Sequence, residues 1–164
     1  MSSSPTPSPQ VDAAADEATR LMAYRLGLLG LIPFFAAPFW LTVSPGTVPQ
    51  SLDYLWLNYA ALIASFMAGT FWGMALVAAR SAARTAAMLL SNGLMLATWV
   101  AMQLDFGASM AALAAIFALL FFAELWRERA VAPLPGYMRL RLLLTLGVLA
   151  SLGWRGALTG LLSS

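Results

Sequence analysis

The sequence has no cysteine, no histidine and no lysine, and only 10% of its residues are charged. Without cysteine there is no disulfide framework, no thiolate nucleophile and no thiolate metal ligand. Without histidine the usual acid–base group near neutral pH is missing, as is the commonest metal and haem ligand. No G-x-S-x-G, no P-loop and no pair of carboxylates in an apolar stretch is present. The N-terminus lacks the basic region of a secretory signal and the arginines of a transit peptide. Catalysis is therefore not expected, and neither a cofactor nor a metal is implied.

What is present is apolar surface. Of the 164 residues, 61% are hydrophobic, with mean hydropathy +0.79. A soluble domain carries about 25% charged residues, and so short a chain cannot hide this much apolar surface in one core. Lipid must cover it. All nine basic residues are arginine, and eight sit at alternate ends of five apolar segments. Arg20 and Arg25 precede the first. Arg80 and Arg84 separate the second and third. Arg127, Arg129, Arg139 and Arg141 lie between the fourth and fifth. The other two gaps hold Asp53 and Asp105. This is the charge pattern of a multi-span helical membrane protein. It explains the net charge of +2 better than nucleic-acid binding does.

The expected fold is all-α, a polytopic transmembrane helix bundle of about five spans. Residues 1–19 are Ser/Pro-rich at their start and are expected to be a disordered tail. Residues 20–164 form one transmembrane domain. At about 20 residues per crossing, the spans fall at 26–43, 54–79, 85–104, 106–126 and 141–162. Span three, with Ser91, Asn92 and Gly93, is the weakest. Arginine-rich loops inside give a cytoplasmic N-terminus and an external C-terminus. Trp40, Tyr54, Trp56, Tyr59 and Trp99 then mark the outer interface.

Within span two, Ala61, Ser65, Gly69 and Gly73 stand at four-residue spacing. On a helix they form a ridge of small side chains where another backbone can approach closely. Ala60, Ala64 and Ala68 make a second row. Span five has Gly156 and Gly160, with Gly147 and Ser151 on another stripe. These faces serve packing within the bundle, self-association, or docking to another membrane protein. Pro33 and Pro38 interrupt span one, and a proline there kinks a helix.

Three polar features sit at membrane depth. Trp72 and Asn92 lie about 12 Å from the arginine boundary at ~1.5 Å per residue. Were spans two and three neighbours, Asn92 would accept from Trp72. Arg155 lies ~21 Å into span five, where a charge costs about 3 kcal/mol unless it snorkels or pairs. Asp53 and Asp105 are the acids on that side, and one of them is expected to pair with it. The alternative is snorkelling beside Trp154. Glu124 is read as a structural partner of Arg127 or a loop arginine.

Three strings carry a family resemblance: GLIPF (Gly30–Phe34), NYAALIASFMAGTFWGMAL (Asn58–Leu76) and LPGYMRLRLLLT (Leu134–Thr145). Together they resemble the transmembrane protein 69 family, small bacterial membrane proteins with mitochondrial relatives and no established activity. The resemblance spans roughly residues 21–160. The family tends to carry a basic residue where Phe71 stands. It implies a multi-pass protein of the bacterial inner membrane or, alternatively, the mitochondrial one. The functional expectation is a non-enzymatic structural, assembly or accessory subunit. A small-solute or lipid transporter or channel component is the alternative, with a cavity lined by Pro33, Asn92 and Arg155. The expected partners are the lipid bilayer and itself or another membrane protein, not nucleic acid.

Overall fold

Helix α1 (Pro9–Val43) runs without interruption through Pro33 and Pro38. Its 35 residues reach ~50 Å, against a hydrocarbon thickness of ~30 Å. The computed structural model describes residues 9–47, 49, 51–77, 81–130 and 137–160. The first eight residues of the expected tail lie outside them, but from Pro9 onward that segment is helical. Proline at the first helical position has its φ preset, and Ala13, Ala14 and Ala15 follow with the best helix propensity. Pro45 forbids continuation, and a 3₁₀ turn (Pro45–Thr47) closes the end. There Trp40 Nε1 donates to Thr47 Oγ1 at 3.0 Å.

Helix α2 spans Leu52–Val77, with Asp53 in its first turn, where a carboxylate meets the positive end of the helix dipole. Helix α3 spans Ser81–Ala101, α4 Phe106–Ala130 and α5 Tyr137–Leu158. The α3–α4 turn is tight. Asp105 caps α4 by accepting from Ala108 N at 3.1 Å, and Ser109 Oγ donates back to Ala101 O at 2.8 Å. Gly160, at φ 73°, ends α5 in the left-handed region that favours glycine. The expected spans are shifted at their ends by a few residues. Residues 102–104 belong to the turn, and 78–79 and 161–162 lie outside the described residues.

The protein is an all-α helical bundle. Four helical segments are long and apolar enough to cross a membrane: Glu17–Val43, Leu52–Leu76, Phe106–Arg127 and Met138–Leu158. Helix α3, with 21 residues, is long enough but less apolar and is not among them. Arg84, Thr85, Ser91 and Asn92 dilute its apolar character. Its polar residues are divided between its faces, with Arg84, Thr85 and Asn92 exposed. Ser91 and Thr98 are buried, and Thr98 Oγ1 returns to Leu94 O at 2.8 Å.

Contacts fix the helix directions. Gly27 of α1 meets Leu140 and Leu144 of α5, and Leu31 meets Gly147. Residue numbers rise together, so α1 and α5 are parallel. Trp56 and Tyr59 of α2 reach Phe34 and Gly30 in reverse order, so α2 is antiparallel to α1. The core comprises Phe34, Trp56, Ala60, Ala64, Ala68, Leu113, Phe117 and Leu120 with their neighbours. One end of the bundle holds Asp53, Asp105 and Arg155. The other holds Arg25, Glu124, Arg127, Arg139 and Arg141, and is called here the arginine end.

Candidate functional site: polar junctions of the bundle

The first junction follows from a missing proton. In an α-helix the carbonyl of Phe34 accepts from the amide of residue 38, but Pro38 has none. Two side chains from other helices use that acceptor. Trp56 Nε1 of α2 donates at 2.9 Å and Ser151 Oγ of α5 at 2.5 Å. One turn earlier, Tyr59 Oη donates to Gly30 O at 2.8 Å. The Phe34 ring packs edge-on against Tyr59 and Phe117, with centroids 5.2 and 6.0 Å away. Pro38, Phe34 and Ser151 are all fully buried. This knot joins α1, α2, α4 and α5. Pro33 and Pro38 were visible as helix breakers, but the donors that exploit Pro38 were not, because they come from distant segments.

The second junction is ionic. Arg155 is 6% exposed and grips Asp53 with both arms of its fork: Nε to Oδ1 at 3.0 Å and Nη2 to Oδ2 at 2.6 Å. Its guanidinium also lies over the Phe106 ring, 4.8 Å from the centroid. The pair ties α5 to α2, and the ring ties both to α4. The Asp53 side chain is 38% exposed, so the pair sits at the edge of the bundle, not in its centre. Asp105 takes no part, since it caps α4.

The third junction lies at the arginine end. Glu124 is fully buried, and its Oε1 accepts from Arg127 Nε at 2.8 Å and from Arg127 Nη2. Among the described residues nothing donates to Oε2. Arg141 and Thr145 of α5 are also buried. Arg84 and Arg139 are exposed. Arg129 lies on α4, and Arg80 is outside the described residues.

Other expected groupings are not brought together. Asn92 donates to Met88 O of its own helix at 2.9 Å and faces outward, and Trp72 is 43% exposed. The expected bond between them is absent, because an amide on a helix reaches its own carbonyl one turn back more readily than a neighbour. The small ridge of α2 is divided, with Ala61 buried at its start. Ala60, Ala64 and Ala68 are completely buried, whereas Ser65 is half-buried and Gly69 and Gly73 face outward. A Cβ added at either glycine meets nothing within 4 Å. Two small rows one residue apart look alike in sequence, and only the packing of Trp56 and Phe71 shows which turns inward. On α5, Gly156 is buried, but Gly160 serves as a helix stop. The close helix approach is elsewhere: a Cβ on Gly147 meets Leu31 Cδ1 at 2.9 Å, and one on Gly27 meets Leu144 Cδ1 at 3.1 Å. The four-residue stripe Gly147–Ser151–Arg155 thus carries both the α1 seam and the ionic junction.

Residues 19–156 match the family model described as protein of unknown function (DUF3429). The chain belongs to the DUF3429 family. The matched segment begins within α1 and ends one residue after Arg155, so all three junctions fall inside the DUF3429 region. No curated protein and no solved structure matches the chain.

Proposed function

We propose that this DUF3429 protein is a non-enzymatic membrane subunit that holds or assembles with a partner through the outward small face of α2. The supporting observation is a division of labour between faces. The polar groups of the bundle are used on one another: Arg155 on Asp53, Ser151 and Trp56 on the Phe34 carbonyl, Arg127 on Glu124. Gly69 and Gly73, in contrast, leave open space on the exterior, where another backbone gains dispersion contacts that lipid chains do not match. The GLIPF and P-G-Y-M-R-L-R strings support kinship with the transmembrane protein 69 family. The arginines gathered at one end support a cytoplasmic N-terminus, an external C-terminus and residence in a bacterial inner membrane.

The transporter reading needs Pro33, Asn92 and Arg155 around one cavity. The first two are exposed and the third is paired, which weighs against it.

The test is Gly69→Leu, purified from native membranes in mild detergent. The melting temperature should stay within experimental error, since no neighbour lies within 4 Å of the new Cβ. The copurifying partner or second copy should be lost. Unchanged native mass and composition would refute the docking face.

A further inference from the structure

Four of the nine arginines form two contrasting pairs. Arg127 and Arg155 are neutralised by Glu124 and Asp53. Arg25 of α1 and Arg139 of α5 are exposed, and neither has an ion-pair partner among the described residues. Each heads the same pattern. Arg25 is followed at three, four and seven residues by Leu28, Leu29 and Ile32, and Arg139 by Leu142, Leu143 and Leu146. All six apolar side chains are exposed. Residues at these offsets share one helix face. Each arginine therefore stands at the foot of its own outward apolar stripe.

The two stripes lie at one level. Gly27 meets Leu140, with 3.4 Å between a Cβ there and Leu140 Cδ1, and α1 and α5 are parallel. Arg25 lies ~3 Å and Arg139 ~1.5 Å beyond that contact toward the arginine end. They differ in height by about the rise of one residue. The α1 stripe lies opposite Gly27 and Leu31, so it faces away from α5. The α5 stripe lies roughly a third of a turn from its α1 seam.

From this we infer that the paired ends of α1 and α5 bind anionic phospholipid, one molecule per stripe. The headgroup phosphate is held by the guanidinium of Arg25 or Arg139, and an acyl chain lies along the leucines above it. A guanidinium matches phosphate geometry with two parallel N–H donors. A net negative headgroup gains the full attraction, whereas a zwitterionic one brings its own ammonium against the arginine. The apolar stripes distinguish a lipid from a soluble anion, which has nothing to place on Leu28 or Leu142.

The experiment titrates the full chain in detergent with phosphatidylglycerol, with phosphatidylcholine of the same chains, or with inorganic phosphate. Native mass spectrometry and melting temperature are the readouts. Phosphatidylglycerol should bind preferentially and raise the melting temperature, and inorganic phosphate should neither stabilise the chain nor compete. Arg25→Gln and Arg139→Gln should each weaken phosphatidylglycerol binding at their own stripe about fivefold. The Lys variants keep the charge but lose the two-armed contact, so their binding should fall between that of the Gln variants and the wild type. The single variants leave one stripe intact, so each supplies its own internal control for folding. Equal binding of the two lipids would overturn the inference, as would full phosphatidylglycerol binding by both Gln variants. Effective competition by inorganic phosphate would reduce the site to a simple anion site and overturn the lipid assignment.

Discussion

Pro38 and Phe34 stand one helical turn apart, and the amide that the proline lacks leaves the Phe34 carbonyl to accept from Trp56 and Ser151. A residue normally counted as a helix defect thus supplies the acceptor for a three-helix junction.

Ser151→Ala and Trp56→Phe should each lower stability by about 1 kcal/mol, the ordinary net worth of such a bond. The double variant should lose more than the sum, because the carbonyl then has no donor and Pro38 provides none. A double-mutant cycle of thermal or denaturant unfolding in detergent measures the coupling. In a Pro38→Ala background the backbone amide returns, and the coupling should shrink toward zero.

Asp53→Asn should destabilise by roughly 2–4 kcal/mol, since it leaves a nearly buried guanidinium without its counter-charge. Arg155→Lys keeps the charge but loses the two-armed geometry, and about 1 kcal/mol should go with it. Asp53→Asn/Arg155→Met should recover part of the loss. If the double variant is no better than Asp53→Asn alone, the pair does not act as a unit.

Gly147→Ala pushes a methyl to 2.9 Å from Leu31 Cδ1 and should cost about 1 kcal/mol, with Gly147→Leu costing up to ~3 kcal/mol. Gly153→Ala, one and a half turns along the same helix, meets nothing within 4 Å. It should be neutral or stabilising by up to ~1 kcal/mol through helix propensity. Comparing melting temperatures of the two alanine variants separates seam packing from a general intolerance of α5.

Glu124→Ala removes the acceptor for Arg127 and leaves a largely buried guanidinium without its counter-charge. A loss of roughly 3–5 kcal/mol is expected, read as lower yield and lower melting temperature. Glu124→Gln keeps an oxygen for Arg127 and should fall between Ala and wild type.

The helices were legible in sequence because long apolar runs with arginine or aspartate at their ends leave few alternatives. Leu26 to Val43 reads as a helix on either side of any boundary error. The partner of Arg155 was narrowed to two aspartates by charge and depth alone. What selects Asp53 over Asp105 is local: Asp105 directly precedes α4 and is consumed as its cap. The α2 packing row was not legible, since Ala60–Ala64–Ala68 and Ala61–Ser65–Gly69–Gly73 share the same spacing. Nor was the Gly27–Leu144 seam, because parallel contact between the first and fifth helices is a matter of bundle order, to which helical periodicity is blind. The Ser91 and Asn92 that make the third segment the weakest in sequence also keep α3 out of the set of strongly apolar helices.

The two donors to the Phe34 carbonyl arrive at very different moments of synthesis. Trp56 lies 22 residues downstream of the acceptor, Ser151 117. At ~5–20 residues per second, Ser151 follows Trp56 from the ribosome by roughly 5–20 s. During that interval the groove of α1 around Gly27 and Leu31 has no α5 against it, and the carbonyl holds a single donor. The nascent bundle is open along one side until α5 arrives to complete it. A chain stalled before α5 presents that side to lipid and to proteolysis, so the join between the first and fifth helices marks a fully synthesised bundle.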